Sequence, residues 1–198
     1  MQPTIERLCL CFIVLLATFA IAGCAPEPFV GSDVSGAAYG RNFRLQDHTG
    51  RERTMADFRG KAVVLFFGYT QCPDVCPSTL AEAKQTMDLL GAAADRVQVL
   101  FVTVDPERDT TALLANYVPA FHPTFVGLRG DAQQTSAVTA SFRILYRQQP
   151  GSTPETYTID HSAGLFMFDP AGQLRLYHGH GTVAKSLAHD LKLLVDGR

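Results

Sequence analysis

Charge is scarce in this sequence, and so is uninterrupted hydrophobicity. Only 18% of the 198 residues are charged and the formal net charge is −2, which excludes the basic surface typical of a nucleic-acid-binding protein. The longest apolar run, Leu8 to Ala22, is broken only by Thr18 and would span about 22 Å as a helix, which is short for a membrane crossing. Tryptophan is absent, but 46% of the residues are hydrophobic, so the chain as a whole is not disordered. The composition indicates a single domain of ordinary size.

The five cysteines divide into two groups by position. Cys9, Cys11 and Cys24 lie near the N-terminus, whereas Cys72 and Cys76 stand alone in the body of the chain. We interpret Cys9 and Cys11 as apolar residues of a targeting segment. Cys72 and Cys76 then remain as the cysteines that can carry chemistry in the folded part.

Residues 1–23 have the features of a bacterial lipoprotein signal peptide. Arg7 precedes the apolar run and small residues follow it. The sequence Ile-Ala-Gly-Cys, which ends at Cys24, resembles a lipoprotein box and predicts lipid attachment at Cys24. Isoleucine at the first box position leaves an uncleaved signal anchor as an alternative. Both interpretations place the protein on the extracytoplasmic, periplasmic face of a bacterial membrane.

The remaining chain divides into a predicted tether, residues 24–40, and a predicted domain, residues 41–198. Residues 25–40 are rich in Pro, Gly, Ala and Ser and lack apolar periodicity, which is typical of a flexible linker. The domain begins with a predicted β-hairpin, residues 43–45 and 51–54, around a polar turn. Apolar runs at 62–67 and 97–104 predict buried parallel strands, joined by a helix that Gly91 can close.

The second half of the domain alternates between predicted helices and short strands. Helices are expected near 111–118 and 132–141 and from Val183 to Leu194, with strands at 124–128, 164–168 and 173–177. A strand–helix–strand unit followed by two antiparallel strands and a helix predicts an α/β fold. We expect a thioredoxin-like mixed sheet flanked by helices, with the N-terminal β-hairpin as an extension.

The cysteine pair follows the first apolar strand, at the position where open α/β sheets place their functional sites. Each cysteine precedes a proline, which disfavours helical dihedral angles at both cysteines. We therefore expect Pro77 to be the first residue of the crossover helix and Cys76 to be its cap. Both thiols would then lie on an exposed loop at the positive end of the helix dipole, which lowers the pKa of a thiol.

Two thiolates in such a loop fit either disulfide exchange or a soft metal ion. Three residues separate the cysteines, one more than in the redox motif of thioredoxins. Soft ligands select copper(I), and a third ligand would have to come from elsewhere in the chain. His161 is the strongest candidate because it comes just before a predicted core strand, and Asp160 could orient its imidazole. A turn histidine that bonds its own backbone is the alternative.

The other histidines are weaker candidates for metal binding. His178 and His180 alternate around a glycine and could hold a metal, but glycine-flanked turns before helices are common. Three more are interpreted as ordinary surface or turn residues: His48, His122 and His189.

Two aspartates follow the second parallel strand. Asp105 could tune the cysteine site or contact a partner, or it could cap the following helix. For Asp109 a helix cap is the favoured interpretation.

Three segments resemble the signature motifs of the Sco/SenC family. They are, in the order expected for the family, residues 68–77 (GYTQCPDVCP), 104–110 (VDPERDT) and 160–162 (DHS). The resemblance extends from about Phe43 to the C-terminus, and three motifs together are far more specific than one. It implies a thioredoxin-like fold and a membrane-tethered copper chaperone, in which Cys72, Cys76 and His161 bind copper(I) and in some states copper(II).

The resemblance also implies a partner. Members of the family are associated with delivering copper to the dinuclear CuA centre in subunit II of cytochrome c oxidase, and another extracytoplasmic cuproprotein is the alternative recipient. A second hypothesis is a thiol–disulfide oxidoreductase that reduces the cysteines of that centre, which requires Cys72 and Cys76 but not His161. Peroxidase activity is disfavoured because residues 65–71 lack the proline that thiol peroxidases place before the reactive cysteine.

Overall fold

The computed structural model describes residues 27–153 and 156–198. The predicted signal peptide and Cys24 lie outside these residues. Within the described ranges, no helix is both long and apolar enough to cross a membrane.

Ten strands are formed by the described residues. In chain order they are Ser32–Asp33 (β1), Arg44–Asp47 (β2), Glu52–Thr54 (β3), Ala62–Gly68 (β4), Val97–Thr103 (β5), Val126–Arg129 (β6), Tyr146–Gln149 (β7), Thr158–His161 (β8), Gly164–Phe168 (β9) and Leu174–Gly179 (β10). Eight of them form one sheet in the order β1-β10-β9-β4-β5-β6-β2-β3, and β7 pairs with β8 in a separate two-stranded sheet.

Four α-helices flank the main sheet among the described residues: Val75–Leu90 (α1), Thr111–Phe121 (α2), Ala132–Ser141 (α3) and Ala184–Val195 (α4). Helix α1 connects the parallel strands β4 and β5, and α2 connects β5 to the parallel strand β6. Helices α1 and α4 pack against each other, while α2 packs on β6. The mixed sheet with flanking helices is the predicted thioredoxin-like arrangement.

The core of the domain forms around β4 and β5. Every residue of both strands is buried, as expected for parallel strands covered on two faces. Ala62 pairs with Val97 and Gly68 with Thr103, so the two apolar runs are in register over their whole length. This register brings the ends of both strands, and the loops that follow them, to the same edge of the sheet.

The predicted hairpin, crossover and final helix are confirmed. Strands β2 and β3 pair antiparallel around the polar turn, and β9 pairs antiparallel with β10. Gly91 ends α1 with φ of +56°, a backbone conformation that glycine adopts without steric cost. The small sheet of β7 and β8 was not predicted, because its sequence is largely polar and lacks the alternation that marks a half-buried strand.

The predicted tether is wrong for the part of it that the structure describes. Ser32 pairs with Tyr177, so β1 extends the edge of the main sheet. The backbone N–H groups of Val30 and Gly31 donate to the carboxylate of Asp190 at 2.9 and 2.8 Å. The buried carboxylate of Asp190, on helix α4, thus accepts hydrogen bonds from backbone far away in the sequence. No local sequence pattern reveals such a contact. The domain therefore begins before residue 41.

Candidate metal centre

Three potential ligands from three segments meet at one edge of the sheet. Cys72 lies in the loop after β4, Cys76 in the first turn of α1, and His161 at the end of β8. Their ligand atoms all lie within 4.8 Å of one another, and the Cys76 Sγ is 3.7 Å from the His161 Nε2. The structure thus brings together two free thiols and one imidazole that are far apart in sequence.

Cys76 occupies a position that only a glycine opposite it permits. Its side chain is 1% exposed, whereas Cys72 is half-buried. A Cβ at residue 68 would lie 2.7 Å from the Cys76 Sγ and 2.8 Å from the ring of Phe101. Gly68, the last residue of β4, therefore allows the sulfur to pack directly against the strand.

The predicted start of the crossover helix is wrong by two residues. Helix α1 begins at Val75, so Cys76 is its second residue and Pro77 its third. Proline is tolerated there because first-turn N–H groups have no partner within the helix, and the carbonyl four residues earlier lies outside it. Cys76 is consequently a buried helical residue and not an exposed cap.

Burial also reverses the expected ionisation of Cys76. Desolvation raises the pKa of the Cys76 thiol by more than the backbone hydrogen bond at Tyr69 lowers it, and a negative charge on Cys72 would raise it further. Cys76 is therefore a neutral thiol in the metal-free reduced site. A metal ion that binds Cys76 must displace its proton.

The imidazole of His161 is oriented by a backbone carbonyl. Its Nδ1 lies 3.1 Å from the carbonyl oxygen of Ser162, which directs Nε2 towards Cys76. Asp160, expected to provide this contact, instead accepts a 2.6 Å hydrogen bond from the side chain of Gln149. Burial lowers the pKa of His161, although the Ser162 carbonyl and the charge of Asp160 act in the opposite direction. A neutral imidazole is the form that binds metals.

Asp105 belongs to a buried network that connects the cysteine loop to the histidine strand. Its carboxylate accepts hydrogen bonds from the Arg108 Nε at 2.5 Å and from the Tyr157 hydroxyl at 2.7 Å. Arg108 also donates to the side chain of Gln71, next to Cys72, and its guanidinium lies 3.5 Å from the ring centroid of Tyr157. Sequence reasoning named Asp105 but missed Tyr157 and Arg108, although Arg108 stands in the VDPERDT segment.

Tyr69 provides a second link between the same two segments. Its hydroxyl accepts a hydrogen bond from the backbone N–H of Ile159 at 3.2 Å. Its ring packs edge-on against the imidazole of His161, with 6.0 Å between the ring centroids. The residue that follows β4 therefore contacts both the strand and the ring of the candidate ligand.

Asp109 does not cap a helix, in contrast to the favoured interpretation. It is fully buried and accepts hydrogen bonds from the hydroxyls of Thr70 and Thr103, each at 2.5 Å. Thr110 caps α2 instead, accepting from the backbone N–H of Leu113. Asp109 joins the end of β5 to the loop that carries Cys72.

The remaining histidines lie outside the cluster. His178 is buried with its Nε2 2.9 Å from the Asp190 Oδ2, and His180 is exposed on the turn after β10. The other three contact protein atoms away from the cluster: His48 accepts from the Gly127 N–H, His122 contacts the Thr124 hydroxyl, and His189 contacts the Pro28 carbonyl oxygen. In the described part of the chain, the group of Cys72, Cys76 and His161 is the one set of three or more such residues with metal-binding geometry.

The fold and the cluster define the class of protein: a thioredoxin-like domain with two thiols and an imidazole at the end of its first central strand. A family model described as SCO1/SenC matches residues 32–196, and the chain belongs to this family.

Relatives match over most of the described domain. The chain is 42% identical over 159 residues to the mitochondrial SCO2 homolog of Bos taurus, an alignment that covers 79% of this chain and 60% of the cattle protein. The chain thus spans less than two thirds of that relative's length. Among solved structures, Bradyrhizobium japonicum ScoI with copper bound is 37% identical with a TM-score of 0.73, covering 79% of this chain and 99% of that one. Apo Sco1 from Thermus thermophilus is 34% identical with a TM-score of 0.76, covering 86% and 99%.

Proposed function

We propose that this protein is a copper metallochaperone that holds one copper ion between Cys72, Cys76 and His161. The observation that carries the proposal is the convergence of two sulfur atoms and one imidazole nitrogen within 4.8 Å. Thiolate and imidazole ligands suit copper, whereas structural zinc sites generally have four protein ligands. The copper bound to the similar Bradyrhizobium japonicum protein supports the same cargo here.

Transfer proceeds by ligand exchange with a partner that approaches the half-buried thiol. Cys72, Pro73 and Asp74 border an open cleft that also contains His161, so an incoming ligand reaches the metal from the Cys72 side. Cys76 is buried against β4 and holds the ion until the exchange is complete. The recipient is an extracytoplasmic cuproprotein, subunit II of cytochrome c oxidase, which receives the copper at its CuA site.

A competition titration with copper(I) tests the binding function. Full-length reduced protein in detergent should bind about one copper ion tightly, and Cys72→Ser, Cys76→Ser and His161→Ala should each weaken binding by more than about tenfold. His122→Ala is the matched control, because His122 lies outside the cluster and contacts Thr124. Normal affinity in the cysteine variants would contradict the proposal.

A second candidate function is thiol–disulfide exchange with the same partner. The arrangement that favours it is a more accessible thiol, Cys72, backed by a buried thiol within 4.8 Å. Cys72 would attack a partner disulfide to form a mixed disulfide, and Cys76 would then release the partner as a dithiol while the Cys72–Cys76 pair becomes oxidised. An external thiol reductant would regenerate the pair.

Substitution of His161 distinguishes the two candidate functions. His161→Ala should abolish tight copper binding but leave reduction of a model disulfide substrate intact, because only the cysteines exchange electrons. If His161→Ala binds copper normally while the cysteine variants lose only reductase activity, disulfide exchange is the function.

We also propose that a lipid on Cys24 anchors the protein to the extracytoplasmic face of a bacterial membrane, after removal of residues 1–23. Pro28, the fourth residue after Cys24, already contacts the domain, because its carbonyl oxygen lies 3.0 Å from the His189 Nε2. The chain between lipid and domain could therefore span at most about 14 Å. Labelling with palmitate tests the anchor. Incorporation should depend on Cys24, and labelling that persists in Cys24→Ser, or is absent from the wild type, would contradict it.

A further inference from the structure

His180 lies beside the candidate metal centre, although it is not one of its three ligands. The ladder between β9 and β10 ends at Gly179, so the next residue, His180, comes to the level of Ala163, two residues after His161. Cys76, His161 and His180 line the same narrow cleft. The turn that carries His180 and two of the three candidate ligands thus border one cleft.

The turn that carries His180 is bordered by open space on both sides of the histidine. Gly179 and Gly181 flank it, Gly181 has φ of +81°, and a Cβ at either glycine would have no atom within 4 Å. His180 itself is exposed. His178, by contrast, faces the interior and lies 2.9 Å from Asp190, as strand alternation requires. Of these two histidines, His180 is the one that a bound ion can recruit.

The coordination chemistry of copper provides a role for such a residue. Two thiolates and one imidazole suit copper(I), whereas copper(II) favours a tetragonal set of ligands that includes nitrogen or oxygen donors. We propose that His180 is the fourth ligand of a copper(II) ion bound at Cys72, Cys76 and His161. This inference rests on the proposed copper-binding function and deepens it. His180 stabilises the oxidised ion selectively and leaves the copper(I) site with three ligands.

Electron paramagnetic resonance of the copper(II)-loaded full-length protein in detergent tests the role of His180. His180→Ala should remove one nitrogen coupling from the spectrum and weaken copper(II) binding roughly tenfold, with copper(I) affinity unchanged. Added imidazole should restore the lost coupling in His180→Ala. His122→Ala, which alters another histidine outside the cluster, should match the wild type in every measurement.

The outcomes separate this inference from the copper-binding proposal. If His180→Ala gives the wild-type spectrum and the wild-type copper(II) affinity, the fourth-ligand assignment is overturned while the three-ligand site stands. A parallel loss of copper(I) and copper(II) affinity would also overturn it, since the role of His180 is confined to the oxidised ion. If Cys72→Ser and Cys76→Ser also bind copper normally, the proposed function itself fails.

Discussion

At the scale of single residues, the position of the Cys76 sulfur in the candidate centre depends on the glycine at residue 68. A Cβ on Gly68 would lie under 3.0 Å from both the Cys76 sulfur and the Phe101 ring. Gly68→Ala should therefore lower the free energy of unfolding by about 1–3 kcal/mol, since overpacking displaces core atoms. It should also weaken copper binding because the Cys76 sulfur must move.

Chemical denaturation and copper(I) competition measure the two effects of Gly68→Ala. Gly179→Ala is the control for stability, because a Cβ at residue 179 would have no atom within 4 Å. A Gly68→Ala protein with wild-type stability would show that the close approach of strand and sulfur is unimportant.

The ionisation of Cys76 gives the centre a defined pH dependence. Burial raises the pKa of Cys76, so copper must displace a proton from this thiol at neutral pH. Copper(I) affinity should thus increase as pH rises from 7 to 9, by up to about tenfold per pH unit for each proton released. His161, whose pKa is lowered by burial, adds no dependence in this range.

Calorimetry of copper(I) binding in buffers of different ionisation enthalpy counts the released protons. Cys76→Ser should release fewer protons than the wild type. An affinity that is independent of pH in the wild type would show that Cys76 is already a thiolate in the metal-free site.

At the scale of secondary-structure elements, the network around Asp105 holds β8 in place relative to the cysteine loop. Tyr157→Phe removes the 2.7 Å hydrogen bond to Asp105 and leaves a buried carboxylate oxygen with one fewer donor. We expect a loss of about 1–3 kcal/mol in the free energy of unfolding and a smaller decrease in copper affinity, because His161 becomes less well positioned.

A spectroscopic readout distinguishes positioning from simple destabilisation in Tyr157→Phe. The copper(II) spectrum should broaden as His161 becomes less ordered. Arg147, an exposed residue of β7, provides the control. Arg147→Ala should leave the spectrum unchanged and alter the free energy of unfolding by no more than about 0.5 kcal/mol. A wild-type spectrum in Tyr157→Phe would confine the network to a structural role.

The elements that could be predicted from the sequence are those with an apolar pattern of their own. The runs that became β4 and β5 are buried along their whole length, and the crossover helix between them makes the two strands parallel. Strands β7 and β8 could not be predicted, because their polar residues form a two-stranded sheet at the surface. The start of α1 was misjudged because the preference of residues before proline is weaker than the packing of Cys76.

The candidate site was accessible to sequence reasoning only in part. Cys72, Cys76 and His161 could be named from motif and placement, and the structure brings their ligand atoms together. The imidazole of His161 is oriented by the Ser162 carbonyl and not by Asp160. This contact could not be predicted, because a backbone acceptor leaves no signature in the sequence. The contact between Tyr157 and Asp105 likewise depends on tertiary packing of residues 52 positions apart.

At the scale of the whole molecule, Asp190 secures the N-terminal segment to the domain. This fully buried carboxylate accepts hydrogen bonds from Val30 and Gly31 and lies 2.9 Å from the His178 Nε2. Asp190→Asn should lower the free energy of unfolding by about 1–3 kcal/mol, because an amide cannot satisfy all of these donors. It should also expose the backbone at residues 30–33 to hydrogen exchange.

Hydrogen exchange measured by mass spectrometry reports on the segment directly. Asp88→Asn is a suitable control, because Asp88 forms an exposed ion pair with Lys84 within α1, worth at most about 0.5 kcal/mol. Protection of residues 30–33 that is unchanged in Asp190→Asn would show that Asp190 does not secure the segment.

X-ray absorption at the copper edge tests most directly whether Cys72, Cys76 and His161 together hold copper. Copper(I)-loaded protein should show two sulfur neighbours and one nitrogen neighbour. Cys72→Ser should retain one sulfur, and His161→Ala should lose the nitrogen signal while keeping both sulfurs. A wild-type spectrum without two sulfur neighbours, or one that His161→Ala leaves unchanged, would contradict copper binding by these three residues.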